Sequence, residues 1–301
     1  MPTIGFIGTG TIGGPMALKL LEHKHTMLVF DIDSNATKAH VEQGAGVAAA
    51  IADIAKACAT VFLSLPGPAE IEDVVLGDDG LINHAETLAT IADLSTNSLS
   101  LNRQIADIAR RKGINYLDAP VSGGKIAARN GSLTVMVGGD EAVFDVIRPL
   151  IDCFGEHIFY MGPSGAGTLT KLINNQIFLC ASVLIQEGFV MAAKAGMDSS
   201  ALLKVLEVSS AGPLMTRAPL VLSRKFDLDV FALSIAAKDV GVALESARAI
   251  GASMPMTQAA HAVYEDALVK GFGDEDFFAT VKVLEKAAGV ELAPLRKPKA
   301  G

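Results

Sequence analysis

Hydrophobic and polar positions in the first half of the chain keep returning to one rhythm: a short apolar run, a helical pattern, then another run. The runs at Thr3–Ile7, Met27–Asp31, Thr60–Ser64, Thr90–Asp93, Asn115–Asp118, Leu133–Val137 and His157–Tyr160 predict strands. Between most of them, spacing near 3.6 residues predicts helices at Ile12–Glu22, Ser34–Gln43, Pro68–Val75, Leu99–Arg111 and Glu141–Ile151. Parallel strands need a crossover, and a helix lying on the sheet face supplies it. The expected fold class is therefore α/β, with a mostly parallel, doubly wound sheet.

The pattern changes class near Gly162-Pro-Ser-Gly-Ala-Gly167, where three glycines and a proline fall within six residues. A helix pattern at about 168–194, longer than any before it, follows this segment. Further helical segments lie at Ser199–Val208, Ser234–Ala249, Met256–Lys270 and Phe277–Ala287, with no convincing strand. The reading is an N-terminal α/β domain over residues 1–163 and an all-helical domain over 164–301. Leu295–Gly301 reads as a frayed tail.

Composition narrows the function classes. The 301 residues carry 25 Lys+Arg against 33 Asp+Glu, a formal charge of −8, with no Trp and three Tyr. Neither the basic footprint nor the aromatic platforms of a nucleic-acid binder are there. Ile177–Met191, the most apolar stretch, is broken by Gln186 and Glu187, so no membrane span is expected. Three scattered cysteines form no disulfide framework, and no basic region precedes the first apolar run; the cytoplasm is the expected compartment.

Candidate chemistry begins where Thr3–Ile7 runs into Gly8-Thr-Gly10-Thr11-Ile12-Gly13 and a helix. In this setting Gly8 permits a tight turn, Gly10 admits a pyrophosphate close to the backbone, and Gly13 lets the helix pack on the strand. The helix N-terminus offers free N–H donors to the phosphates. Asp31, eighteen residues beyond Gly13, closes the second strand. Its carboxylate can accept the adenosine ribose hydroxyls and repel a 2′-phosphate, and no Arg lies between Asp31 and Lys38. NAD is favoured over NADP. Asp31 also suits the opening of a turn.

The segments Ile4–Gly8 through Gly14–Ala17, Asp118-Ala-Pro-Val-Ser-Gly-Gly124, Gly162-x-x-Gly-x-Gly167-x-x-x-Lys171-x-x-Asn-Asn175, and Phe231 with Lys238-Asp239 together resemble the β-hydroxyacid dehydrogenases. That group includes 3-hydroxyisobutyrate dehydrogenase and tartronate semialdehyde reductase. The resemblance covers nearly the whole chain in order and implies a Rossmann-type domain followed by a helical one. Thr9, Ile12 and Lys19 depart from the residues common in the family, as does Lys125-Ile126-Ala127 after Gly124.

The resemblance implies that Ser122, Gly123 and Gly124 hold a small substrate carboxylate; spacing alone would equally suit a structural loop. Lys125 and Arg129 read as solvated loop charges. Lys171, Asn175, Phe178 and Ser182 share one helical stripe, at i, i+4, i+7 and i+11. Taken alone, Lys171 reads as a solvated charge; the resemblance makes it the catalytic acid–base, with Asn175 orienting the substrate. The implied chemistry is hydride transfer between a short 3-hydroxy acid and its semialdehyde. A lysine can take up or return the hydroxyl proton, since burial and a positive nicotinamide both favour the neutral amine. The resemblance also implies cofactor contacts from Leu65, Pro66, Thr96 and Lys238.

Rival readings differ at named positions. Enzymes of the 6-phosphogluconate dehydrogenase type place His before the Asn and an acid seven positions after the lysine, where this chain has Asn174 and Phe178. Imine reductases usually replace the lysine. A dinucleotide-binding protein without turnover would not need Ser122, Lys171, Asn175 and Lys238 together. The six histidines show no metal-ligand spacing, so no metal is expected. The long apolar helix face around Ile177–Val190 suggests a homodimer or homotetramer.

Overall fold

A computed structural model describes residues 3–227 and 231–295, and its contacts divide the chain into one unit over residues 1–173 and a second over 174–301. Among its described residues the first has nine strands: β1 (Ile4–Ile7), β2 (Met27–Phe30), β3 (Gly46–Val47), β4 (Thr60–Leu63), β5 (Thr90–Asp93), β6 (Asn115–Asp118), β7 (Val121–Ser122), β8 (Leu133–Gly138) and β9 (Gly155–Gly162). They form one sheet in the order β3-β2-β1-β4-β5-β6-β8-β7, with β9 beside β8. From β3 to β6 every pairing is parallel. Beyond β6 the sheet departs from that pattern: β8 runs antiparallel to β6 and to β7, and β9 parallel to β8.

Helices α1 (Gly13–Glu22), α2 (Lys38–Glu42), α3 (Ile51–Ala57), α4 (Pro68–Leu76), α5 (Leu99–Arg111), α6 (Gly124–Asn130) and α7 (Glu141–Ile151) connect the strands. The long α8 (Ala166–Lys194) begins in this unit. Both faces of the sheet are covered, which is why the central strands are apolar at successive middle positions rather than alternating. Successive side chains enter opposite layers: Phe6 and Phe62 pack with Met16, Leu20 and Phe154, while Ile7 and Leu63 pack with Ile54, Ile71 and Ile105.

Several expectations need correction. The helix expected over Ser34–Gln43 shrinks to α2, because the Asp33 carboxylate accepts the Asn35 N–H at 2.9 Å and holds the preceding residues in turns. The two-residue strands β3 and β7 are too short to show a period. Lys125 and Arg129 lie on α6, not in a loop.

The second unit contains the rest of α8 with α9 (Ser199–Glu207), α10 (Ala218–Leu222), α11 (Leu233–Ala249), α12 (Pro255–Val269) and α13 (Thr280–Ala288). Among its described residues there is no strand, only a single bridge between Ala232 and Asp276. Phe189, Tyr264, Phe277 and Phe278 fill its core. By length and composition α8 could cross a membrane. Instead Leu179, Val183, Phe189 and Val190 pack into this core, and the fully buried Gln186 is satisfied by Ser182 and Thr280. Of the expected tail, residues after Leu295 lie outside the described part.

Candidate active site

The strand order reverses between β1 and β4, so the crevice beyond their C-terminal ends is the place where such sheets take ligands. Gly8 and Gly13 are required there by the protein itself. Gly8 has φ +89°, and a Cβ on it would lie 2.2 Å from the Ser64 carbonyl oxygen. One on Gly13 would lie 1.9 Å from the Gly8 oxygen. Gly10 differs: no protein atom lies within 4 Å of the position its Cβ would take.

Helix α1 starts without a side-chain cap and without an acid in its first turn. Its N–H groups and the open face of Gly10 thus fit a pyrophosphate, which would accept those donors. Thr11 is exposed and Ile12 half-buried beside them.

Asp31 opens the turn after β2, one of the two readings the sequence left open. One carboxylate oxygen accepts the Thr9 N–H at 2.7 Å, with the Thr9 hydroxyl at 3.3 Å, and the other accepts the Asp33 N–H at 2.9 Å. The oxygen bonded to Asp33 keeps a second lone pair that a ribose hydroxyl could use. Thr9, a departure from the family's usual residue, therefore ties the acid to the glycine turn.

The ends of β4 and β5 are bound together. The Ser95 hydroxyl accepts the Leu65 N–H at 2.9 Å, and the Asp93 carboxylate accepts the Ser95 N–H at 3.0 Å and the Tyr116 hydroxyl at 2.7 Å. Leu65 and Thr96 are half-buried and Pro66 exposed, at the same sheet edge as the glycine turn. Burial pushes the Asp93 carboxyl up to about 6, against the hydrogen bonds that favour its charge.

Asp118, at the end of β6, has a role that its local sequence gives no sign of. One oxygen accepts the Gly165 N–H at 2.8 Å and the other the Thr168 N–H at 2.7 Å, so it seats the start of α8. Burial raises its pKa while these backbone donors oppose the rise. Ser122 lies half-buried in β7, and Gly123 (φ +130°) and Gly124 (φ +69°) stand exposed at the start of α6. Nothing lies within 4 Å of a Cβ on Gly124, so the backbone there is open to an anion.

On α8, Lys171 is half-buried and Asn175, one turn on, is buried. In the second unit the Asn175 amide donates to Asp239 at 2.7 Å and accepts from Asn174 at 3.0 Å, and Lys238 pairs with Asp239 at 2.9 Å. A carboxylate can only accept, so Asp239 fixes which way the amide faces. Phe178 packs against Phe277 at 5.4 Å, with the Arg217 guanidinium over its ring. Among the described residues no cluster of His, Cys, Asp or Glu could hold a metal.

Comparison with known proteins matches both halves of the chain. Residues 3–162 match the family described as the NAD binding domain of 6-phosphogluconate dehydrogenase. Residues 165–284 match the family described as the NAD-binding of NADP-dependent 3-hydroxyisobutyrate dehydrogenase. The chain is 35% identical to 2-(hydroxymethyl)glutarate dehydrogenase of Eubacterium barkeri, over 96% of this chain and 97% of that one. It is 34% identical to an NAD-dependent L-serine dehydrogenase of Pseudomonas aeruginosa, covering 96% and 100%. The solved structure of Mycobacterium tuberculosis 3-hydroxyisobutyrate dehydrogenase with L-serine superposes with a TM-score of 0.86 at 27% identity, covering 94% and 99%.

Proposed function

The chain belongs to the β-hydroxyacid dehydrogenase family, an NAD(P)-dependent group of oxidoreductases, and from that premise we propose that it interconverts a short 3-hydroxy acid and its semialdehyde using NAD. When bound, the nicotinamide takes or returns the hydride. Lys171 takes up the hydroxyl proton during oxidation and returns it during reduction. Asn175, its amide fixed by Asp239, orients the substrate oxygen, and Ser122, Gly123 and Gly124 hold the carboxylate. Leu65, Pro66, Thr96 and Lys238 contact the cofactor.

The observation that carries this reading is the presence on one helix of a half-buried lysine and, one turn later, a buried asparagine whose amide is locked by a carboxylate. The compounds after which these relatives are named agree in chemistry: L-serine, 3-hydroxyisobutyrate and 2-(hydroxymethyl)glutarate each carry a hydroxymethyl group on the carbon beside a carboxylate. Free acids of this kind should turn over and their methyl esters should not. Comparable rates for acid and ester would remove the carboxylate seat.

The decisive variant is Lys171→Met, which keeps the bulk of the stem and removes the ammonium. General acid–base groups typically contribute ~10²–10⁴-fold, so kcat should fall at least about a hundredfold while NAD binding persists. A folded, NAD-binding variant with more than about a tenth of wild-type kcat overturns the assignment. Cofactor choice rests on Asp31. NAD should exceed NADP in kcat/KM, and Asp31→Ala should narrow the gap; a wild-type preference for NADP refutes it.

The exposed Ile177, Leu184 and Met191 recur every seventh residue on α8 and support a homodimer or homotetramer. Three free cysteines fit a reducing compartment, which we take to be the cytoplasm.

A further inference from the structure

We propose that Asp118 is the positioning residue for Lys171. The inference rests on the reading of Lys171 as the acid–base and adds how the chain places it. The carboxylate of Asp118 takes the N–H of Gly165 on one oxygen and that of Thr168 on the other, at 2.8 and 2.7 Å. These are the residue just before α8 and the third residue within it, so the carboxylate stands where a local Asp cap would stand, supplied from about fifty residues away. Two bonds from one rigid group fix both the height of the helix along its axis and its rotation about that axis. Lys171 follows Thr168 by three residues and lies on the same side of the helix.

The seat is built from more than one contact. Asn102, fully buried on α5, donates its amide to the Thr168 hydroxyl at 3.0 Å and accepts the Ser164 hydroxyl at 3.1 Å. The backbones close up as well. A Cβ on Gly167 would lie 2.2 Å from the Met136 oxygen and 2.6 Å from the Asp118 oxygen, and one on Gly138 would lie 2.7 Å from the Asp118 carboxylate. The backbone of Asp118 also opens the segment that ends in Ser122, Gly123 and Gly124. One residue thus starts the proposed carboxylate seat with its main chain and anchors the helix of the proton carrier with its side chain.

Replacement by asparagine cannot preserve this arrangement. Each oxygen faces a backbone N–H, which cannot turn round to accept, and an amide offers one acceptor and points a donor at the other. The helix start must shift, and a misplacement of about 1 Å can cost on the order of a hundredfold in rate. In Asp118→Asn, kcat should fall about ten- to a hundredfold, with NAD affinity within about twofold of wild type. Thr168→Val is the milder probe: it keeps the N–H to Asp118, removes the Thr168 hydroxyl's own bond to Asp118 and the acceptor for Asn102, and should lower kcat about threefold to tenfold.

A merely structural role would lower thermal stability and leave kcat per NAD-binding molecule unchanged, so rates are normalised to NAD-binding sites. The sharper readout is non-additivity, because residues that act through one group do not multiply their effects. In the Lys171→Met background, adding Asp118→Asn or Thr168→Val should leave the residual rate within about twofold. Independent further loss in the double variants overturns the proposal, as does wild-type kcat in both single variants when Lys171→Met is dead. Wild-type kcat in Lys171→Met overturns the acid–base reading and this inference with it. If Asp118→Asn does not fold, Thr168→Val supplies the same cycle.

Discussion

Two glycine-rich turns in the first unit lead a strand into a helix, and they treat the helix start in opposite ways. At Gly8–Gly13 the start of α1 has no side-chain cap and no acid, and Gly10 faces open space. At Gly162–Gly167 the start of α8 is already taken, its donors bound by the buried Asp118 carboxylate. A glycine-rich turn is therefore not in itself a phosphate site. The first turn leaves its donors for an anion from outside, and the second satisfies them with one of its own.

The largest effect expected from this contrast is at Gly13. A Cβ there would lie 1.9 Å from a backbone oxygen and 2.8 Å from the Ser64 Cβ, and neither can swing away. Gly13→Ala should destabilise the first unit by about 3 kcal/mol and abolish NAD binding, as overpacking of a rigid contact does. Denaturant unfolding checks this; an unchanged midpoint would mean that α1 does not pack on β1 as described.

The next effect separates ligand from fold. Gly10→Ala meets no protein atom within 4 Å, so unfolding should be unaffected, while NAD affinity should fall by about a hundredfold, about 2.7 kcal/mol. The matched change in the second turn, Gly165→Ala, places a Cβ 2.7 Å from Leu99 at φ +93° and should lower stability with NAD affinity kept. If both variants lose affinity alike, the two turns are not different in kind. Calorimetric titration with NAD beside a thermal scan reads both.

What the sequence disclosed follows the same division. The glycines and Asp31 were legible because their partners are near in sequence or lie at the end of the adjacent strand. Strands β1, β2, β4, β5 and β6 were legible because burial on both faces demands successive apolar residues at their centres. Asp118 stood in a motif, yet its grip on Gly165 and Thr168 spans about fifty residues, and no periodicity encodes which distant N–H a carboxylate will meet. The short α6 was hidden because it opens with glycines that read as loop, which left Lys125 and Arg129 misplaced. The turn at Asp33–Thr37 was hidden because a side-chain hydrogen bond displaced a helix that the pattern alone allowed.

The smallest effect concerns Asp93, the neighbour of Asp118 across paired strands, and it tests whether a buried carboxylate is tolerated only where backbone donors demand it. Its partners are Ser95, through the N–H and the side chain, and the Tyr116 hydroxyl, and a hydroxyl can donate or accept. Asparagine at this site can accept from Ser95 and donate to Tyr116, so Asp93→Asn should fold where Asp118→Asn is strained. Its pKa, pushed up from 3.8 to about 6 by burial, sets the pH dependence. The folded protein holds this proton up to about pH 6, whereas the unfolded chain releases it near 4. Between those values the folded state binds more protons, so this group's contribution to stability falls as pH rises and is least favourable above about 6. Asp93→Asn removes that slope. Its melting temperature relative to wild type should rise by a few degrees from pH 4.5 to pH 8, an effect on the order of 1–2 kcal/mol. A difference that stays constant across that range would mean that burial does not raise the Asp93 pKa, and the contrast with Asp118 would then rest on geometry alone.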